Sequence, residues 1–225
     1  MKSTLPCSQG GLGLRLATLC VAAAFSMNAQ AKELTFEQAF SAKGEPRTLH
    51  YQAAFSAKGA EHHLEVWRDG DQRLKRSTDQ AIETYVVRKS GDPEFHMSIL
   101  DMKKRIHTRI DRANLYRIGN FTDWFDLAHG LKHPTGEYHV VKAQAPAGAP
   151  KTFQDCQWYD LTQGQRTTHV CWSTQSHLPL VIQAQDGKVA WKVSDMDSKP
   201  IPNKTFEIHD AGFVRNDANQ DIEND

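Results

Sequence analysis

The sequence predicts a mainly β fold, in which an antiparallel meander curls around one helical insert. From Thr48 onward, apolar and polar residues alternate with a period of two, which places one set of side chains on each face of a sheet. Turn dipeptides such as Lys58-Gly59 and Asp186-Gly187 separate the alternating stretches. The segment between Ile110 and Pro134 is the one long stretch with helical spacing. We therefore expect one sheet, with this segment inserted between two of its strands.

The first 31 residues have the three parts of a secretory signal peptide. Lys2 and Arg15 are basic, residues 16–27 form an apolar run, and Ala29-Gln30-Ala31 is an A-x-A cleavage site. The apolar run is too short to span a membrane. We expect cleavage near Ala31 and export to the periplasm.

The rest of the chain has the length of one domain and a nearly balanced charge. Residues 32–215 are expected to form a single β-rich domain, and the polar, acidic residues 216–225 a flexible tail. The full sequence has 27 basic and 27 acidic residues, so loss of Lys2 and Arg15 leaves a formal charge of −2. Because nucleic-acid-binding domains are usually strongly basic, we expect no nucleic-acid partner. No later segment has the composition of a transmembrane helix.

A short helix and then a series of strands are predicted after the cleavage site. The helix, over Leu34–Lys43, has Thr35 and Gln38 at capping-box spacing. The residues predicted to face inward on the first two strands are Leu49, Tyr51, Ala53, Phe55, Leu64 and Val66. Further strands are predicted over residues 82–88, 94–101, 105–110 and 137–143, and around Phe206 and Ile208.

The helical insert carries an apolar stripe. Its members recur at helical spacing and are Phe121, Trp124, Phe125, Ala128 and Leu131. Asn120 is the predicted N-cap and Gly130 marks the end, and a shorter helix is expected before it over residues 112–118. Two interpretations remain open. The stripe is ordinary core, or it is a lid over an apolar cavity that these residues line together with Ile182 and Trp191 of the sheet.

The two cysteines that remain after cleavage are predicted to form a disulfide. A two-residue turn at Gln163-Gly164 would place Cys156 directly opposite Cys171 on the neighbouring strand. Opposed residues of an antiparallel pair lie within disulfide range, and an even number of cysteines in an exported protein favours pairing.

Two other hairpins predict the register of the sheet. For the turn at Asp69-Gly70, we expect a loop that places Val66 opposite Leu74. The turn at Asp186-Gly187 would align three apolar pairs on one face, namely Leu180 with Val193, Ile182 with Trp191, and Ala184 with Val189. For the Asp186-Gly187 hairpin, the turn and the apolar pattern predict the same register.

No arrangement of residues points to catalysis, a metal or a cofactor. The eleven histidines include no H-x-x-x-H pattern on a helix, and none lies near a thiolate pair of zinc spacing. We interpret them as scattered surface side chains. The sequence contains no G-x-S-x-G, P-loop, dinucleotide-binding or covalent-haem motif. We therefore expect no enzyme activity, no metal and no cofactor.

The order of these elements resembles a known family. The stretch ILDMKKRIHTRIDRANL leads from a strand into the helical insert, and CQWYDL and CWSTQSHLPLVIQ return as strands. With the export signal and the short N-terminal helix, this order is similar to the periplasmic lipoprotein-carrier fold, the LolA/LolB-like superfamily. The resemblance implies a half-open barrel whose apolar cavity is covered by helices.

Two functions are therefore compared. The resemblance implies a soluble periplasmic carrier that binds an apolar or amphipathic, lipid-like ligand. The alternative is an envelope sensor or protein-interaction domain, whose core is filled and whose partner is another envelope protein. An open apolar cavity would favour the first function, and a filled core with a flat exposed sheet edge would favour the second.

Overall fold

The computed structural model describes residues 32–117 and 122–223, which contain thirteen strands, four short α-helices and one 3-10 helix. The strands are β1 (Glu33–Leu34), β2 (Thr48–Ala57), β3 (Ala60–Asp69), β4 (Arg73–Thr78), β5 (Ile82–Val87), β6 (His96–Asp101), β7 (Ile106–Asp111), β8 (His139–Lys142), β9 (Gln157–Gln163), β10 (Arg166–Ser173), β11 (Leu178–Ala184), β12 (Val189–Asp197) and β13 (Val214–Asp217). The helices are α1 (Phe36–Ala39), α2 (Arg112–Arg117), α3 (Trp124–His129), α4 (Ala218–Glu223) and the 3-10 helix Asn203–Phe206. The fold is mainly β, as the alternating sequence predicts.

All the described strands belong to one sheet, in the order β1-β8-β9-β10-β11-β12-β2-β3-β4-β5-β6-β7-β13. Two antiparallel meanders, β2–β7 and β8–β12, meet where β12 pairs with β2, and within the described residues the sheet is not closed. The strands β7 and β8 follow each other in sequence but lie near opposite ends of the sheet. The segment that joins them contains α2 and α3, which is the position predicted for the helical insert.

One face of the sheet carries the main hydrophobic core. Rows of side chains run across the strands on this inner face, as in the row that Leu49, Arg68, Leu74 and Val86 form on β2 to β5. Each of these four residues is at most 1 % exposed. The residues predicted to face inward on β2 and β3 are buried, apart from half-buried Phe55. The period of two therefore assigns the faces of these strands correctly.

Two predicted hairpin registers are wrong by two residues. Residues 70–72 form the loop between β3 and β4, so Val66 lies opposite Arg76 and not opposite Leu74. The second wrong register is that of β9 and β10. Their turn comes one residue later than predicted, so Cys171 lies opposite Trp158 and not opposite Cys156. Cys156 lies just before β9, and it still reaches Cys171 to form the predicted disulfide, with the Cα atoms 5.4 Å apart. Because side chains alternate, a slip of two residues leaves both cysteines on the same face.

The predicted register of β11 and β12 is confirmed at its centre. Ile182 lies opposite Trp191, as the turn at Asp186-Gly187 predicts. An irregularity after Ile182 places Val189 opposite Gln183, so the predicted pairing of Ala184 with Val189 is wrong. A single inserted residue of this kind shifts the pairing on the side of the turn, and it leaves the pairing of Ile182 with Trp191 unchanged.

The helix termini differ in detail from the prediction. The capping box of Thr35 and Gln38 on α1 is confirmed, with both side-chain bonds to backbone N–H groups present. The helix α3 begins at Trp124, and its N-cap is Asp123, whose carboxylate accepts from the backbone N–H of Asp126. The predicted N-cap, Asn120, lies outside the described residues. Gly130 ends α3 in the left-handed conformation, with a φ of 69°.

The C-terminal segment also differs from the prediction. Phe206 belongs to the 3-10 helix and not to a strand. The tail predicted from residue 216 is ordered in part, because β13 pairs in parallel with β7 and α4 follows it. The pairing uses backbone groups, so a polar sequence does not prevent it. No helix among residues 32–117 and 122–223 is both long and apolar enough to cross a membrane.

Candidate functional site

The apolar stripe of the insert divides between two hydrophobic clusters. Trp124 and Ala128 are buried in the main cluster on the inner face of the sheet. Phe125 and Leu131 pack in a second cluster that includes Trp172, Phe36 of α1 and Phe40, which follows α1. Phe121 lies outside the described residues. The stripe is therefore a contact surface on two sides of α3, and only part of it faces the sheet.

Two contacts hold the end of α3 against the middle of the sheet. The hydroxyl of Tyr51 on β2 donates to the carbonyl of Ala128 at 3.2 Å. Gly130 packs against the ring of Trp191, and a Cβ atom at this position would lie 2.5 Å from that ring. The indole Nε1 of Trp191 donates to the carbonyl of Pro179 at 2.8 Å, which fixes the ring. These contacts place the helix over β2 and β12.

A buried polar cluster makes a third attachment. Arg68 on β3 is fully buried, and its guanidinium forms an ion pair with Glu45. The Nε2 atom of His129, the last residue of α3, lies 2.8 Å from the same Glu45 oxygen. Burial raises the pKa of Glu45, but the hydrogen bond from His129 and the charge of Arg68 outweigh it, so this pKa is lower than usual. The carboxylate thus links the sheet to α3.

A cavity of about 400 Å³ lies between the C-terminal half of α3 and the sheet. Its lining is Phe55, Arg76, Thr122, Asp126, Leu127, Gly130, Lys132, Ile182, Ala190 and Trp191. Ile182 and Trp191 were predicted to line such a cavity, whereas Trp124 and Ala128 are packed in the core beside it. The volume is within the range of small-molecule sites, and aromatic and aliphatic groups make up much of the wall.

Arg76 is one of the residues of this wall that the sequence prediction missed. It occupies the inner face of β4, opposite Val66 and in line with Tyr51. Burial lowers the pKa of its guanidinium. The alternation of Leu74 and Arg76 contains the signal, because both residues must face the same way.

Asp126 is a second ionisable group in the wall. Burial raises its pKa to about 6, and the nearby charge of Asp123 acts in the same direction. The backbone N–H of His133 donates to its carboxylate at 3.1 Å, which opposes that change. The cavity wall therefore contains a carboxyl group that changes charge in the mildly acidic range.

A separate cavity of about 330 Å³ lies on the other side of α3, against α1. Phe36, Phe40, Phe125 and His133 line it, together with Glu37, Ser41, Ala42 and Asp123. The ring of Phe36 contacts that of Phe125 edge to face, with centroids 5.6 Å apart. Phe125 thus faces this second cavity, whereas Leu127 on the same helix faces the first.

The histidines are less scattered than expected. Eight of the eleven lie within 4.0 Å of a carboxylate, and they are His50, His62, His96, His107, His129, His133, His139 and His169. His107 and His129 are buried, so they are not surface side chains. Within the described ranges, no three His, Cys, Asp or Glu side chains form a group that could hold a metal ion.

No family model matches the chain, and no curated protein matches it.

Proposed function

We propose that this protein is a periplasmic binding or carrier protein for an apolar or amphipathic, lipid-like ligand. In this proposal the sheet is a half-open barrel, the insert with α2 and α3 is its lid, and the ligand occupies the cavity beneath α3. The observation that carries the proposal is the cavity itself, which has an aromatic and aliphatic wall and lies under the longest insertion between strands.

The attachments of α3 support a lid. The helix has six residues, and it contacts the sheet through the Tyr51 hydroxyl, the Trp191 ring and the cluster of Arg68, Glu45 and His129. Trp124, Leu127 and Ala128 of the helix also pack in the main cluster. A six-residue helix that lies outside the hydrogen-bonded sheet can open locally at a smaller free-energy cost than the sheet.

The proposed compartment is consistent with the disulfide. Cys156 and Cys171 are bonded, and structural disulfides persist in oxidising compartments such as the periplasm. The resemblance to the LolA/LolB-like carriers belongs to the same proposal, as do the signal peptide and the absence of enzyme activity.

Titration of the purified protein with cis-parinaric acid, whose fluorescence rises in an apolar site, tests the proposal. We expect saturable binding, and we expect Ile182→Trp to weaken it because the larger ring fills the cavity. Ile208→Trp adds the same ring at an exposed position outside the cavity, and it should leave binding unchanged. Mass spectrometry of an organic extract of the native protein would identify any lipid that is carried through purification.

Two results would contradict the carrier proposal. One is a folded wild-type protein that neither binds the probe nor yields lipid, which would favour the envelope sensor or protein-interaction domain. The other is equal probe binding by the wild type and Ile182→Trp, which would place the probe elsewhere.

A further inference from the structure

We propose that the ligand of this cavity is an anionic amphiphile, whose carboxylate or phosphate headgroup binds Arg76 while its chain lies against Phe55, Ile182 and Trp191. This inference depends on the proposed function and names the ligand class for the same site.

The position of Arg76 is unusual for its charge. It lies on the inner face of β4, in a row with Tyr51 and Val66, each of which has no exposed surface. Its own side chain is partly exposed, and the space that it faces is the cavity. Long cationic side chains normally extend to bulk water or pair with an acid when they are buried.

Within the part of the chain that the structure describes, no acidic side chain pairs with this guanidinium. None of the ion pairs found within 4.0 Å among residues 32–117 and 122–223 includes Arg76. The neighbouring inner-face arginine, Arg68, is by contrast paired with Glu45. The phenol of Tyr51 adds no charge at neutral pH, because burial raises its pKa to about 12. A cation that is partly removed from water and has no counter-charge is costly, so an anion that enters the cavity gains a strong partner.

The other charged residues of the cavity wall also favour a negatively charged ligand. Lys132 is exposed and lines the cavity, whereas Asp126 is the acid that lines it. The charge of Lys132 lowers the pKa of Asp126, so these two groups partly offset each other. Arg76 then remains as the uncompensated charge of the wall at neutral pH.

The guanidinium suits the proposed headgroups. Its planar array of N–H donors can bind two oxygens of a carboxylate or a phosphate at once, and such charge-assisted bonds are stronger than neutral ones. The apolar wall supplies the matching surface for an acyl chain. A neutral lipid would leave the guanidinium without a partner, and a cationic amphiphile would be repelled.

Three amphiphiles with the same chain and different headgroups test this inference. Dodecanoate, dodecyl phosphate and dodecyltrimethylammonium, each below its micelle concentration, would compete with cis-parinaric acid for the wild-type protein. We expect the two anions to bind at least about tenfold more tightly than the cation, which is the factor expected from one charge-assisted hydrogen bond. If both anions compete equally, the site recognises anionic charge and not one headgroup.

Variants identify the group responsible. Arg76→Met should remove the preference for anions while it preserves binding of the chain, and Arg76→Lys should restore part of it. Lys192→Met is the matched control, because it removes one positive charge from an exposed residue beside Trp191 on the opposite face of β12. Asp126→Asn removes the acid of the wall and should strengthen anion binding at pH 7. Circular dichroism of each variant would confirm that it is folded.

The outcomes separate this inference from the proposed function. Wild-type protein that binds no probe would overturn both. Wild-type protein that binds all three amphiphiles equally, or a preference for anions that persists in Arg76→Met, would overturn the role of Arg76 alone. An equal loss of the preference in Lys192→Met would show a general charge effect, and it would also contradict the assignment.

Discussion

At the residue scale, Asp126 and Arg76 are ionisable groups in the same cavity wall, and burial disfavours the charged form of each. The pKa of Asp126 is raised to about 6, so this carboxyl makes its largest contribution to stability when it is protonated, below about pH 4. That contribution is lost as the pH rises through 6. The ionised form at neutral pH is therefore a local cost to the fold.

Asp126→Asn should raise the free energy of unfolding at pH 7 by about 1–2 kcal/mol, a range reduced to allow for the partial exposure of the group. The amide oxygen can still accept from the backbone N–H of His133. Urea denaturation at pH 7 and pH 4 measures the effect, which should vanish at pH 4. Asp155→Asn, at an exposed position before the disulfide, is the control. A variant that is equally stabilised at both pH values would contradict the titration argument.

Glu45 and Glu37 are two glutamates near the lid, and each contacts a histidine. Glu45→Gln removes the counter-charge of fully buried Arg68, so we expect a loss of about 3 kcal/mol or more in the free energy of unfolding. Glu37→Gln breaks an exposed contact with His133, and it should cost less than about 1 kcal/mol. Guanidinium denaturation of both variants makes the comparison. Equal effects would show that the Arg68 cluster is not a structural attachment.

At the element scale, the end of α3 depends on the absence of a side chain at Gly130. Gly130→Ala introduces a Cβ atom 2.5 Å from the Trp191 ring, at a residue whose φ is 69°. Gly148→Ala is the control, because its φ is 73° and no atom lies within 4 Å of the added Cβ. We expect about 1–3 kcal/mol from the backbone conformation in both variants and a further loss in Gly130→Ala. Thermal denaturation of both variants would measure the difference between these losses. Similar losses in both would mean that the contact with Trp191 contributes little.

The hairpin of β9 and β10 is closed by the disulfide across a sequence separation of 15 residues. Cys156→Ala combined with Cys171→Ala should lower the free energy of unfolding by about 3 kcal/mol, because the unfolded chain regains the freedom that the cross-link removes. Alanine avoids placing a hydroxyl at the fully buried position 171. Urea denaturation measures the loss. The presence of two free thiols in the denatured, unreduced wild type would contradict the premise.

These elements also show what local sequence can determine. The faces of β2 and β3 follow from alternation, but the same alternation allows a slip of two residues without exposing any apolar side chain. For that reason Val66 was placed opposite Leu74 and not opposite Arg76. Ile182 and Trp191 were found, because the turn at Asp186-Gly187 places these two apolar residues opposite each other.

At the scale of the whole molecule, sequence patterns were less informative. The pairing of β12 with β2 joins two meanders that are distant in the chain, and the parallel pairing of β13 with β7 involves a polar strand. Backbone hydrogen bonds make such contacts, and the amino-acid pattern does not encode their partners. The position of the cavity depends on this long-range arrangement. For that reason the sequence predicted only two of its lining residues, Ile182 on β11 and Trp191 on β12.

The distribution of histidine–carboxylate pairs over the sheet predicts how stability depends on pH. Hydrogen bonds from His62 and His107 lower the pKa values of Asp79 and Asp210, and the hydrogen bond from the Lys199 backbone, with a contribution from His50, lowers that of Asp197. Stability from carboxylates with lowered pKa values is present above about pH 4 and is lost as the pH falls through their folded values. The hydrogen bond that His139 donates to Glu33 raises the pKa of His139, so the contribution of His139 is full below about pH 6.5 and is lost as the pH rises through its folded value.

The expected profile is a maximum of unfolding free energy between about pH 4 and 6.5, with a decline on each side. Urea denaturation from pH 3 to pH 9 would measure it, on an Asp126→Asn background so that the raised carboxyl does not contribute. His139→Gln should reduce the decline above pH 6.5 and leave the acidic limb in place, because it removes the contact between β8 and Glu33 of β1. High salt should flatten both limbs where the pairs are exposed. A stability that rises steadily from pH 5 to pH 9 would refute the contribution assigned to these pairs.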